Sequence, residues 1–392
     1  MTPPKRCAAV VVGAGPAGLA VVGNLLENQL GKIVWIDPYF QAGRLNRKYR
    51  EVPSNTKVAL FQAFATATQP FRSVISSTRV PNAFTTMAKL DQEKTCHLHH
   101  AADVVRALTD GIVKMDQVYA CRGRVSAANL DHTRSWTVRI QGLDSQGETE
   151  VSTPRLILCT GSSPTEVPVP VSDGSFKRLD LDIVLKPSEL ASTIPRSSPS
   201  TIAVVGASHS AILALLNLVD LARTSHPHVH IKWFTRHPLR YAEYMDGWIL
   251  RDNTGLKGRA ADFARQQLED SALSTSEAGR VITKIDCSGG PEKETAQYRR
   301  HLPSCSYLVQ AVGYTRDPLP DLLLDGVALS LDSLNWDSSF GGFTDRNGRV
   351  IPGLHGAGIA FPERVVDPYG NVEHAVGFFK FMKFLKRVSP QW

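Results

Sequence analysis

The chain has 392 residues, 42% of them apolar and 21% charged, with a formal net charge of +7. This length accommodates two globular domains, and this composition excludes a disordered or fibrous chain. Lys and Arg are scattered with no basic block, which argues against a nucleic-acid interface and leaves a surface attractive to phosphorylated or anionic small molecules.

No run reaches the roughly 18 apolar residues that a membrane span needs, so no transmembrane segment is expected. The chain enters a strand-like run at Cys7–Val12 almost at once, in place of a signal peptide. Its cysteines, Cys7, Cys96, Cys121, Cys159, Cys287 and Cys305, form neither C-x-x-C nor a metal-ligand spacing. A reducing, cytoplasmic location is therefore expected, and no metal. Nothing in the sequence decides for or against a homo-oligomer.

Ala8–Asp37 carries the strongest signal. AAVVVGAGPAGLAVVGNLL reads as an apolar strand, a glycine turn and a helix, and KIVWID as a second strand. Gly13 permits the tight turn, Gly15 lets the backbone approach a pyrophosphate, and Gly18 lets helix and strand lie close. Pro16 and Ala17 open the helix, whose first N–H groups face the phosphates. Asp37, followed by Pro38, would accept hydrogen bonds from ribose hydroxyls and repel a 2′-phosphate. FAD or NAD is therefore expected here rather than NADP.

The stretch QAGRLNRKYREVPSNTKVALF, Gln41–Phe61, is a basic loop in which Gly43 and Arg44 could lie against phosphate. TCHLHH supplies His97, His99 and His100 at the start of a helix, where surface or capping histidines outweigh a metal site. Val125 is a further candidate cofactor contact. RLILCTGSSP, Arg155–Pro164, reads as an apolar strand and a turn at Thr160 and Gly161.

AVVGASHSAILALL, Ala203–Leu216, repeats the strand–turn–helix pattern with Gly206, Ser208 and Ala211 at the three glycine positions. Pro195–Ser200 forms the preceding loop, and HVHIKWFTRHP supplies a second strand, His228–Phe234. Gly206 stands where the turn is tightest, the Ser208 hydroxyl can donate to a phosphate, and Ala211 costs one methyl against the strand. His209 and Ser210 open the helix as further cofactor contacts. No acid stands where Asp37 stood; Thr235, Arg236 and His237 occupy the strand end. A guanidinium there pairs with a 2′-phosphate, so NADPH is expected over NADH.

In Tyr241–Leu268, the residues Tyr241, Tyr244, Trp248 and Asp252 could line a substrate pocket or belong to a packed insertion. PYGNVEHAVGFFKFMKFLKRV places Val372, Ala375, Val376, Phe379 and Met382 at helical spacing and predicts a C-terminal helix, with its first N–H groups around Val372 and Glu373. A membrane-surface role for its lysine-bearing face is the lesser reading.

Four motifs in order, GAGPAG at Gly13–Gly18, RLILCTGSSP, LVQAVGYTRDPLP at Leu308–Pro320 and GLHGAGIAFPE at Gly353–Glu363, resemble the glutathione-reductase-like flavoprotein superfamily. The resemblance is nearest the flavin-containing monooxygenase and amino-acid N-hydroxylase branches. It implies an α/β fold with two Rossmann-like dinucleotide-binding domains, a discontinuous FAD domain (1–165 and 319–392) and an inserted NAD(P)H domain (166–318). It implies FAD at the first turn and NADPH at the second. Many members follow the glycine equivalent to Gly358 with an acid that binds the ribityl chain; Ile359 stands there instead. The resemblance also implies that Asn55, Thr56 and Lys57 hydrogen-bond to the flavin, that Val372 lies near it, and that His374 is a proton donor. Disulfide reductases of the superfamily need two neighbouring cysteines, and none are adjacent here. The implied activity is an NADPH-dependent monooxygenase that hydroxylates a small molecule through a C4a-hydroperoxyflavin, with molecular oxygen as co-substrate. Reduction of a quinone or protein acceptor, and a non-catalytic flavin or NADP sensor, are the alternatives.

Overall fold

The structure is a computed structural model that describes residues 3–143, 147–171 and 176–392. The chain divides into two compact units, Met1–Arg47 with Thr56–Ser162 and Arg316–Trp392, and Lys48–Asn55 with Ser163–Thr315.

The first unit is built on a parallel sheet. Ala9–Val12 lies between Ile33–Asp37 and Leu156–Leu158; Val118–Leu130 extends one side and Val350–Gly356 the other. Antiparallel strands Trp136–Gly142 and Glu148–Thr153 continue from Val118–Leu130. Alternation along the central strands decides the layers. Val11, Ile33 and Trp35 pack on a helical face with Leu19, Leu25, Phe64, Leu108 and Leu385. Val10, Val34 and Ile36 face the opposite way, against Trp136, Leu156, Phe343 and Phe361. The helix Pro16–Glu27 is buried along the whole of Ala17–Leu25, so its position is fixed by packing on every side.

The C-terminal segment corrects the expectation of one helix. Val372–Ala375 is a strand, antiparallel to Glu363–Val366, and the helix begins at Phe378. Asp367 makes the turn: its carboxylate accepts from the backbone N–H groups of Tyr369 and Asn371 and from the Asn371 amide. Apolar residues at 372, 375 and 376 fit a helical face, but the Val366–Val372 pair and this Asx turn decide for a hairpin. Val372 and Glu373 therefore open no helix, and Val372 and His374 are exposed on the hairpin.

The helix Phe378–Val388 buries Phe381, Met382, Phe384, Leu385 and Val388, and the final Trp392 stacks on His355 at 4.5 Å between ring centroids. His355 is buried on the strand Val350–Gly356, with Nδ1 3.3 Å from the Gly341 carbonyl. Burial, reinforced by Arg155 and partly opposed by the Gly341 bond, lowers its pKa to about 4. The unfolded chain binds this proton near pH 6.5, so the folded state holds fewer protons between these values and stability rises with pH across that window. Below pH 6.5 the His355 contribution should fall by about 1.4 kcal/mol per pH unit, to a total of about 3 kcal/mol at pH 4. Urea melts at pH 7.5 and 5.0 test this: His355→Gln should lose less stability on acidification than the parent. Equal losses would remove His355 from the account.

The second unit has a five-stranded parallel sheet in the order Lys177–Arg178, Tyr307–Gln310, Ser200–Val205, Val229–Thr235, Ile282–Asp286. Its middle strand, Ser200–Val205, is buried along nearly its whole length, as a sheet covered on both sides requires, whereas Val229–Thr235 carries an exposed His230 and a half-buried Lys232 on one face. The helix His209–Thr224 follows Ser200–Val205, and Pro291–His301 follows Ile282–Asp286.

Candidate cofactor-binding sites

In the first unit the strand Ala9–Val12 stops at Gly13, whose φ of +104° only glycine adopts without strain. Trp35 Nε1 donates to the Gly13 carbonyl at 2.9 Å, and Gly13 N–H donates to Ile36. The following helix has Gly15 as its N-cap with no side-chain bond, Pro16 at its start and no acid in its first turn. Its leading N–H groups therefore keep their capacity for an anion. Gly43, at the start of the helix Gly43–Lys48, lies against Gly15: a Cβ there would come within 3.2 Å of the Gly15 Cα. That brings Arg44 to the border of the turn.

Asp37 does more than the motif suggests. One carboxylate oxygen accepts from Ala14 N–H at 2.8 Å, and the other from Tyr39 and Phe40 N–H at 2.7 Å. Asp37 thus fastens the phosphate turn to the chain after Pro38, and its remaining acceptor capacity is what a ribose could use.

The Leu156–Leu158 strand ends beside this turn. A Cβ on Gly13 would stand 2.3 Å from the Cys159 carbonyl oxygen, so the two backbones are in contact. The Cys159 thiol is buried and its pKa is pushed far up by burial, which leaves it inert. Next to it, the Thr160 hydroxyl is buried with no hydrogen-bond partner. An orphaned buried hydroxyl at the end of a dinucleotide turn fits a bound polar ligand. Gly358 closes the other side, since a Cβ there would meet Ala17 at 2.5 Å.

The second unit repeats this construction with different residues. Gly206 has φ of +128°, Trp233 Nε1 donates to its carbonyl at 2.7 Å, and a Cβ on it would stand 2.4 Å from the Ala311 carbonyl oxygen. Trp233 therefore plays the part of Trp35, and Ala311–Gly313 that of Cys159–Gly161. The signal was present in the sequence as W-x-D and W-x-T at the strand ends, and as LCTG and QAVG. Ala211 is fully buried with its methyl 3.3 Å from where a Gly206 Cβ would stand, so the one-methyl substitution fits. Ser208 caps the helix without a side-chain bond and is exposed, which leaves its hydroxyl and the first-turn N–H groups to a ligand. His209 follows, with Nδ1 buried and unpartnered; burial, helped by Lys257, lowers its pKa to about 4. Ser210 lies 3.5 Å from the Tyr314 hydroxyl.

A cleft of about 350 Å³ opens from this turn, bordered by Gly206, Ser208, Arg236, Arg240, Tyr298 and Gly313. Thr235 is buried and donates to the His237 carbonyl, which fixes the strand end. Arg236 stands at the cleft with its guanidinium 3.6 Å from Glu294 and about half exposed. Glu294 also accepts from the Tyr298 hydroxyl at 2.7 Å. Arg240, Glu294 and Tyr298 escaped the sequence reading, because two of them come from a helix more than fifty residues after the motif.

The other candidates separate. Asn55, Thr56 and Lys57 lie on the strand Pro53–Lys57, and the Lys57 ammonium is turned to Glu93 at 2.7 Å. His374 is exposed on the hairpin opposite Arg364, not at a helix start, which withdraws the geometry on which its proton-donor role rested. Val125 is half-buried where the ladder with Trp136–Gly142 shifts register. Ile359 is 37% exposed. Tyr241 donates to Glu269 and carries Arg265 over its ring, Asp252 pairs with Lys257, and Tyr244 is exposed. Of that segment it is Thr254 that borders the cleft, together with Arg240 just before it. Among the described residues no group of His, Cys, Asp and Glu could hold a metal, and no helix is long and apolar enough to cross a membrane.

The chain belongs to the pyridine nucleotide-disulphide oxidoreductase family, which matches residues 8–238, and so to the flavoproteins with two dinucleotide-binding domains. It is 70% identical over 394 residues to Monooxygenase AgnR1 of Paecilomyces divaricatus, covering 100% of this chain and 99% of that one. Two solved structures share the fold. An ornithine N-hydroxylase of Kutzneria sp. 744, with reduced FAD, NADP+ and L-ornithine, has a TM-score of 0.59 at 14% identity over 98% of this chain and 97% of its own. The FAD-bound cadaverine monooxygenase of Erwinia amylovora has a TM-score of 0.53 at 12% identity, over 97% and 92%. Although the family is named for a disulphide, all six cysteines are free thiols, four of them buried.

Proposed function

We propose that this chain is an NADPH-dependent FAD monooxygenase that hydroxylates a small-molecule substrate with molecular oxygen. The observation that carries this reading is 70% identity, end to end, with a protein named as a monooxygenase. Two uncapped dinucleotide turns, an orphaned Thr160 hydroxyl at the first and Arg236 at the second support the two cofactors. We assign FAD to the first unit, Met1–Arg47 with Thr56–Ser162 and Arg316–Trp392, and NADPH to the second, Lys48–Asn55 with Ser163–Thr315.

Bound FAD would supply the redox chemistry, taking electrons from NADPH and delivering them to oxygen. The chain's own residues bind and orient. N–H groups at the start of Pro16–Glu27 hold one pyrophosphate, and Asp37 keeps that turn rigid while offering an acceptor to the ribose. Ser208 and the N–H groups after it hold the second phosphate pair, and Arg236 takes the 2′-phosphate. Thiol chemistry has no support, since Cys159 is buried and held protonated. We place the protein in the cytoplasm, consistent with six free thiols.

Stopped-flow mixing tests the activity. NADPH should bleach the flavin bands. Oxygen added to the reduced protein should then give a transient absorbance unlike oxidised or reduced flavin. Immediate reoxidation with stoichiometric peroxide would point to an oxidase or reductase instead.

A further inference from the structure

Arg236, assigned above to the 2′-phosphate, is paired with an acid from a distant part of the second unit's chain. The helix Pro291–His301 carries Glu294 in its first turn and Tyr298 one turn later, on the same face. The Tyr298 ring packs on Phe234 at 5.4 Å between centroids, two residues before Arg236. That contact brings this face of the helix to the strand end. One Glu294 carboxylate oxygen accepts from the Tyr298 hydroxyl at 2.7 Å, and the other lies 3.6 Å from the Arg236 guanidinium. Only 18% of the Glu294 side chain is exposed, against 54% for Arg236. The acid is thus held in place, while the arginine can turn to a ligand. Neighbouring side chains register both charges. Burial first, then Glu294, pushes the Tyr298 phenol and the Cys287 thiol up, the thiol to about 11, and Arg236 pulls both the other way. Asp286, a second acid at this edge, is matched elsewhere: it accepts from Lys293 at 2.5 Å and from Ser288 N–H at 2.9 Å.

We infer that Glu294 limits how strongly this site favours NADPH over NADH, by opposing the 2′-phosphate through its charge. The inference rests on the NADPH reading above. A 2′-phosphate brings close to two negative charges at neutral pH. Arg236 and Glu294 together present no net charge, so the phosphate meets an ion pair rather than a lone cation. Binding draws the guanidinium away from the carboxylate. It leaves that carboxylate, tied to Tyr298 and largely out of water, close to a group of its own sign. The 2′-hydroxyl of NADH is uncharged and feels neither effect. Glu294 therefore acts as a brake on the discrimination that Arg236 creates.

Two half-coenzymes test this without a flavin: adenosine 2′,5′-bisphosphate and AMP, which differ by the 2′-phosphate alone. Calorimetric titration of the full chain gives both affinities. Glu294→Gln removes the charge and keeps the size and an acceptor for Tyr298. It should tighten the bisphosphate by about three- to tenfold and change AMP by less than about twofold. Glu294→Asp keeps the charge and should stay within about threefold of the parent for both probes. Added salt should weaken the bisphosphate more steeply in Glu294→Gln than in the parent, because the site then presents a net cation. Weaker bisphosphate binding in Glu294→Gln would mean that Glu294 instead positions Arg236 for the phosphate. Unchanged binding would mean that its charge does not reach the ligand, and equal changes for both probes that it only supports the fold; each of these results overturns the inference. A parent protein that binds both probes alike would fail the reading of Arg236 itself.

Discussion

Gly15→Ala should fold like the parent and lose FAD. Gly15, the N-cap, has extended backbone with φ of −79°, which alanine adopts without strain, and a Cβ built on it meets no atom within 4 Å. The space it would fill is the approach path of a pyrophosphate to the helix N-terminus. A methyl there holds the phosphates off the N–H groups and removes at least two charge-assisted hydrogen bonds of about 1.5–3 kcal/mol each, so FAD should weaken by about 100-fold or more. Gly18→Ala gives the contrast. Its Cβ would lie 1.9 Å from the Gly13 carbonyl oxygen and 2.9 Å from the carbonyl carbon, both of them backbone atoms that no rotamer change moves. Overpacking typically costs about 1–3 kcal/mol, and here the helix itself must shift, so thermal stability should fall along with flavin content. Flavin absorbance per chain and the melting temperature of the stripped protein separate the two. A Gly15→Ala protein with parental FAD affinity would show that the pyrophosphate does not sit on this turn.

The first turn was legible because every layer of the signal agreed: an apolar strand, glycines at fixed offsets, an apolar helical continuation and an acid closing the second strand. The second was legible despite lost glycines, because Gly206 stayed where φ is positive and Ala211 replaced a contact that tolerates a methyl. What stayed hidden has physical reasons. The Asp37 carboxylate binds backbone N–H groups, and no motif encodes that division of its lone pairs. Tyr298 reaches the cleft, and Glu294 reaches Arg236, through the fold alone. The segment from Val372 to Val376 fits both a 3.6-residue and a two-residue period over so short a span, and the Asp367 turn breaks the tie. The loop after the first nucleotide-binding unit was read as irregular, yet it contains the helix Gly43–Lys48 and the strand Pro53–Lys57. Charged and polar residues there mask short elements that tertiary contacts impose.

Arg236→Ala should separate the two nicotinamide cofactors. NADPH and NADH differ only by the 2′-phosphate, so a residue that meets this group changes the affinity of one and spares the other. Arg236 directly follows the strand Val229–Thr235, one residue after Thr235, the counterpart of Asp37 in the first unit, and borders the cleft. Its guanidinium has five N–H donors, and a 3.6 Å contact with Glu294 engages one side, leaving others for phosphate. A hydrogen bond to a charged group contributes about 1.5–3 kcal/mol, and the half-exposed position places the effect toward the lower end, so the NADPH KM should rise about 10-fold or somewhat more. The NADH KM should stay within about twofold. Arg236→Lys should recover part of the loss, since an ammonium keeps the charge but not the planar fork. Added salt should weaken NADPH binding to the parent more than to Arg236→Ala, because screening acts on the pair that the substitution has already removed. Equal losses for NADPH and NADH would mean that Arg236 supports the strand end rather than reading the phosphate, and the preference for NADPH would then have to arise from Arg240, which borders the same cleft.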